Sequence, residues 1–234
     1  MQMQGRLTAR PNKGAKLVRS TPGESSRLVD YGAGGLLFVP SMTGTGEQYP
    51  LLVMLHGAMH SARDAMRIAQ STAEDRGFMV FAPKSEGRTW DIIVRRSYGP
   101  DFLALNKALE NLPGNYPIDS ANITIGGFSD GASYALTLGL LNGDIFRTVL
   151  AFSPGFSVAD QVVGHPRVYI SHGRSDPVLP FDRCGAALAL TLSKIGLDVC
   201  FDPFEGGHSV PCAQVTTATE WWLGNSNSTP PYAR

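Results

Sequence analysis

The sequence predicts an α/β protein: a mainly parallel central sheet with helices on both faces. Short, almost continuously apolar runs recur along the chain, and segments of helical periodicity alternate with them. A strand that is apolar at every position leaves no face for water, which is the condition inside a parallel sheet covered on both sides.

The runs are LLFVP after Gly35, LLVMLHG after Pro50, FMVFAP after Gly77, TIGGFS after Ile123, VLAFSP after Thr148, VYISHG after Arg167 and VCFDPF after Asp198. Each has strand length, and most stop at Gly or Pro. Helical segments follow. SARDAMRIAQSTAEDR starts at Ser61, a plausible N-cap, and Asp64 three residues on approximates a capping box. DFLALNKALENL, from Asp101, sets Phe102, Leu105, Leu109 and Leu112 on one face. GASYALTLGLLNG follows Asp130, and DRCGAALALTLSKIG starts at Asp182. Residues 1–26 carry Pro11, Gly14, Pro22 and Gly23 without periodicity and predict a flexible leader. Residues 27–224 read as one domain, and 225–234 as a flexible tail. The interval from Ser153 to Arg167 is too short for a large cap domain.

Among the 234 residues, 43% are hydrophobic and 17% charged, with a formal net charge of zero. That is the balance of a globular chain, and it gives no electrostatic footprint for nucleic acid or an anionic membrane. No stretch approaches the ~18 apolar residues of a membrane-spanning helix, so membrane insertion is not expected. The polar, basic N-terminal stretch lacks the apolar centre of a secretory signal, which points to the cytoplasm. Cys184, Cys200 and Cys212 form no CxxC pair and read as buried or idle thiols, with a Cys184–Cys212 bridge as the alternative.

Gly127-Phe128-Ser129-Asp130-Gly131 joins a strand to a helix. Small residues on both sides let the chain turn sharply and push the Ser129 hydroxyl out of the sheet, while the helix that follows aims free N–H groups at the same point. Serine is a weak nucleophile at neutral pH and needs a base, itself oriented by an acid. This topology expects them downstream in the order Ser, acid, His. Asp176 lies just past the run that starts at Val168, and His208 lies in the glycine loop after the last run. Other groups fit less well. His165 enters a strand at the wrong end, His172 braces the loop before Asp176, and His56 and His60 come too early in the chain. Asp202 falls within the last strand, and Glu205 is the reserve acid. An oxyanion hole needs two donors: the Asp130 amide at the helix start, and one from the Leu55–His60 loop, with Ala58 first and Met59 next. Met59 and Trp90 are the candidate substrate-binding residues, although Trp90 could equally be core.

Taken together and in this order, HGAMHSA, GFSDGAS, HGRSDPVLP and GGHSVP resemble the α/β-hydrolase superfamily. More narrowly they resemble its phospholipase/carboxylesterase and serine esterase group, related to acyl-protein thioesterases, from about Leu36 to Leu223. The resemblance implies an α/β-hydrolase fold with Ser129 as nucleophile, His208 as base, Asp176 as acid, and Ala58 and Asp130 as oxyanion donors. Two features depart from the thioesterase branch. Asp130 stands where that branch usually has glutamine, and SEGRTWDIIVRRSYGPD does not look like the wall of a lipid-tail tunnel. The expectation is a serine carboxylesterase for short- to medium-chain esters, acting on a small-molecule substrate without metal or organic cofactor. Thioesters, lysophospholipids and amides are alternative substrates, and a silent binding protein on the same scaffold is the alternative of a different class. The oligomeric state is not legible.

Overall fold

A computed structural model describes residues 5–10, 21–41 and 44–224. Its centre is an eight-stranded sheet, and all seven apolar runs form strands of it. In chain order the strands are β1 (Arg27–Tyr31), β2 (Gly35–Val39), β3 (Tyr49–Leu55), β4 (Met79–Ala82), β5 (Ile118–Phe128), β6 (Phe146–Phe152), β7 (Arg167–Gly173) and β8 (Val199–Phe204). Their order across the sheet is β1-β2-β4-β3-β5-β6-β7-β8. Only the pairings of β2 with β1 and β4 are antiparallel; from β4 to β8 every neighbour is parallel.

The helices are α1 (Ala62–Arg76), α2 (Asp91–Arg95), α3 (Pro100–Asn115), α4 (Asp130–Leu141), α5 (Gly185–Lys194) and α6 (Cys212–Leu223). Successive strand residues point to opposite faces, so the continuous runs feed two cores. Leu52, Met54, Val80 and Leu150 pack with α1 and α6, where Met66, Trp221 and Trp222 close one face. Leu51, Val53, Ile125 and Val149 pack with Phe102, Leu105, Leu109 and Leu136 on the other. Burial of both faces is what made the strands apolar throughout. At the start of α1 the Ser61 hydroxyl accepts from the Asp64 amide while Asp64 returns a bond to the Ser61 amide, a complete capping box. Among the described residues no helix is long and apolar enough to cross a membrane, and residues 153–166 hold no helix or strand.

Three elements carried no clear sequence signal, the five-residue α2 among them. β1 is half polar and exists because it pairs with β2 across a turn whose Gly32 and Gly34 take positive φ. Helix α6 is rich in β-branched threonine, a weak helix former, and is held by burial of Val215, Ala218, Trp221 and Trp222. The thiols of Cys184, Cys200 and Cys212 are unpaired, and burial pushes Cys200 up to about 12.

The flexible leader needs correction at residues 5–10, which are fastened to the core. Leu7 and Ala9 are buried. The Leu7 amide donates to Asn142 Oδ1 (2.8 Å), the Thr8 and Ala9 amides share Asn106 Oδ1, and Arg6 pairs with Asp144 (2.9 Å). The rest of the leader at 1–4 and 11–20, and the tail at 225–234, lie outside the described residues. Two apolar side chains and a set of side-chain acceptors far along the chain hold a segment that has no periodicity of its own. Replacing Leu7 with alanine should therefore lower unfolding free energy by about 2–5 kcal/mol. Urea denaturation checks this, and no change would mean that the segment is not part of the core.

Candidate active site

The site lies where β3, β5, β7 and β8 end. Ser129 links β5 to α4 with its backbone at φ 56°, ψ −119°, a region that costs a non-glycine residue roughly 1–3 kcal/mol. The Ser129 amide donates to the Phe152 carbonyl (3.0 Å), and its carbonyl accepts from the Ser133 amide (3.0 Å). The flanking glycines are required by space. A Cβ on Gly127 would strike the Gly131 carbonyl, and one on Gly131 would strike the carbonyls of Leu55 and His56. The elbow thus presses α4 against the loop that follows β3.

The three side chains singled out in the sequence meet here. His208 Nε2 lies 2.9 Å from Ser129 Oγ, and His208 Nδ1 lies 2.7 Å from Asp176 Oδ2. Asp176 Oδ1 accepts from the amides of Val178 (2.8 Å) and Leu179 (2.9 Å). Burial pushes the Asp176 carboxyl up, but the Leu179 amide, His208 and the Val178 amide outweigh it and hold the group below the usual carboxylate range. An ionised carboxylate only accepts. His208 Nδ1 therefore carries a proton, and Nε2 is left to accept from the Ser129 hydroxyl. The ring of Phe128 lies against that of His208, centroids 4.8 Å apart.

Two buried histidines support this arrangement. His172 Nε2 donates to the Leu179 carbonyl (2.8 Å) and lies 3.3 Å from Asp176 Oδ2. Its approach to Asp176 favours an imidazolium, but burial outweighs that and drives the pKa down, so the ring is neutral. His56 Nε2 accepts from the Ser85 amide (3.1 Å), which leaves Nδ1 to donate to the Gly57 carbonyl (2.8 Å). The other sequence candidates stand apart. Glu205 is exposed and pairs with Arg174, His165 is exposed, and Asp202 receives the Tyr169 hydroxyl.

Among the described residues the amides of Ala58 and Asp130 have no hydrogen-bond partner, whereas the Met59 amide donates to the Arg88 carbonyl (2.7 Å). Met59 is thereby withdrawn as a donor. Its side chain stands in solvent at 70% exposure, on a backbone with φ 64°. Trp90, expected as a substrate-binding residue, is corrected: it is 2% exposed. Its ring packs on those of His56 (4.6 Å) and Tyr134 (5.6 Å), and its Nε1 donates to the His56 carbonyl (2.8 Å). The indole lies beneath the loop as support. Sequence reading missed the bracing by Arg88 and Thr89, for which no periodicity or motif gives a signal. It also missed Phe128, whose position beside the serine was a usable one.

Two cavities lie at this end of the molecule. One, about 320 Å³, is bounded by Gly57, His60, Phe128, His208 and Val210. The other, about 620 Å³, runs between α2 and the loop after β6, with Ile92, Ile93, Tyr98, Phe156 and Val158 as walls and Arg96 and Asp160 among its polar groups.

This sheet order, with a serine elbow after β5, is that of an α/β-hydrolase. Esterase PE8 superposes with a TM-score of 0.64 over 86% of this chain and 98% of its own, at 22% identity. The S-formylglutathione hydrolase FrmB of Staphylococcus aureus gives 0.68 over 88% and 99%, at 16% identity. A CE1 ferulic acid esterase of Anaeromyces mucronatus, in complex with ferulic acid, gives 0.62 over 92% and 96%, at 14% identity. No curated protein matches the sequence. The profile of the Phospholipase/Carboxylesterase family matches residues 104–222, half of the chain, and the protein belongs to that family of ester-hydrolysing serine hydrolases.

Burial lowers the pKa of both His56 and His172 from the ordinary 6.5. Below that value the unfolded chain takes up protons that the folded one refuses, so the stability contributed by these groups is complete above pH 6.5 and is lost as pH falls. Asp176, lowered from 3.8, adds a further loss at more acid pH. The urea midpoint should fall between pH 7.5 and 5, and more shallowly in His172→Gln. An identical slope in that variant would show that His172 is not held neutral.

Proposed function

We propose that the protein is a carboxylesterase for short- to medium-chain esters, with Ser129, His208 and Asp176 as its catalytic triad. The observation that carries this reading is the unbroken relay from Ser129 Oγ to His208 (2.9 Å) and from His208 to Asp176 (2.7 Å). Ser129 Oγ attacks the ester carbonyl while His208 Nε2 takes its proton, and Asp176 steadies the imidazolium that forms. The resulting oxyanion is received by the amides of Ala58 and Asp130, which have no other partner among the described residues. Collapse of the tetrahedral species breaks the ester C–O bond, and His208 returns its proton to the departing alcohol. Water then attacks the acyl-enzyme by the same route, releasing the acid and restoring Ser129.

Proton return places the leaving alcohol beside His208, at the smaller cavity that His208 bounds. The acyl group is left the larger groove. Phe156 is one of its walls, its amide 3.4 Å from Ser133 Oγ, and Ser133 is one helical turn below Ser129. Phe156 and Val158 are 39% and 49% exposed, which is unpartnered apolar surface for an acyl chain to cover. The groove is of ordinary small-ligand size and suits medium chains.

A p-nitrophenyl ester series from acetate to palmitate tests this. Turnover should be highest at short to medium length, and Ser129→Ala should lower kcat by roughly 10⁴–10⁶-fold. Retained turnover in that variant would overturn the triad. In the groove, Val158→Trp should lower kcat/KM for octanoate roughly 10-fold relative to acetate, and an unchanged ratio would place the acyl group elsewhere.

A further inference from the structure

The two features that depart from the thioesterase pattern, Asp130 and the SEGRTW stretch, meet each other in space. Three consecutive residues, Arg88, Thr89 and Trp90, each bond to one side of the oxyanion pair. The Arg88 carbonyl accepts the Met59 amide (2.7 Å), and Trp90 Nε1 donates to the His56 carbonyl (2.8 Å). These bonds bracket the Ala58 amide from both directions. Between them, Thr89 Oγ1 donates to Asp130 Oδ2 (2.7 Å), reaching the residue whose amide is the second donor.

The sheet cannot supply this constraint. Pairing of β3 with β5 ends at Leu55 and Gly127, short of both Ala58 and Asp130. Beyond that point, the separation of the two amides depends on what bridges the β3 loop to α4. The bridging segment is itself anchored by buried acids. Asp101 accepts from the amides of Glu86 (2.7 Å) and Asp91 (2.8 Å), and Asp91 accepts from the Gly99 amide (2.7 Å). Both acids are only 6% exposed. The Ser85 amide adds its bond to His56. A rigid strap thus joins the two halves of the hole.

We propose that Thr89 is a positioning residue, which through Asp130 and together with its neighbours sets the spacing of the Ala58 and Asp130 amides for the transition-state oxyanion. The inference rests on the triad assignment. Oxyanion donors act only when their geometry matches the tetrahedral oxygen, so a loosened strap lowers kcat and leaves ground-state binding alone. Thr89 is half-buried, and valine keeps its shape without the hydroxyl.

Thr89→Val should lower kcat on p-nitrophenyl acetate roughly 10- to 100-fold with KM within about twofold. A trifluoromethyl ketone that mimics the tetrahedral state should bind more weakly by the same factor as the loss in kcat/KM. Thr89→Ser, which restores the hydroxyl, should recover most of the rate. A wild-type kcat in Thr89→Val would overturn the proposal. So would a loss that follows KM, a loss that tracks only a lowered melting temperature, or a serine variant as slow as the valine one. Failure of the triad reading is separately visible, since it would appear as turnover by Ser129→Ala.

Discussion

The hydrogen bond between the Ser129 amide and the Phe152 carbonyl does more than extend a parallel pairing by one residue. It fixes the serine at the last point where β5 still belongs to the sheet and obliges the chain to reverse into α4 through a strained backbone. Strain of this kind persists only where the surroundings over-determine it. Here they do so through the Gly127 and Gly131 contacts and through the Ser133 amide. Met59, in the loop after β3, and Ser153, just past β6, also take positive φ, so positive-φ backbone gathers at the end of the strands where the side chains converge.

Electrostatics follow from that placement. Asp176, His172 and His56 are all buried, and the surroundings of each favour one protonation state. The Asp176 carboxylate is fed by two amides and by His208, and His172 and His56 are neutral rings that hold loops by their N–H groups. The interior tolerates the Asp176 carboxylate because its oxygens are met by donors, and burial disfavours the imidazolium of His56 and His172.

The strap of Arg88, Thr89 and Trp90 answers a problem that the fold creates. Parallel strands carry their ladder only to their ends, while the Ala58 and Asp130 amides, the proposed oxyanion donors, lie beyond them. Asp91 and Asp101 have no cationic partner among the described residues, and buried acids of that kind are otherwise costly. Burial raises the pKa of Asp101 despite the amides it accepts. Through the amides of Glu86, Asp91 and Gly99 the two acids anchor the segment that carries Thr89.

Much of this protein was legible in the residues. Seven strands announced themselves because both faces of the sheet are buried. Ser61 with Asp64 marked a helix start through a bond spanning three residues. Ser129, Asp176 and His208 stood in the chain order that the topology expects, and they meet in space. These are signals whose partners are local, or whose meaning is carried by order along the chain. Long-range structure decided the rest. Whether Trp90 faced a substrate or lay beneath a loop depended on His56 and Tyr134, remote in sequence, and the same indole satisfies either environment. Leu7 became core because Asn106 and Asn142 were placed to receive its segment. Helix α6 formed against its weak propensity because its tryptophans had a face of the sheet to cover. A sequence records which groups can bond or be buried; which partner each one finds is settled only when distant segments compete for the same space.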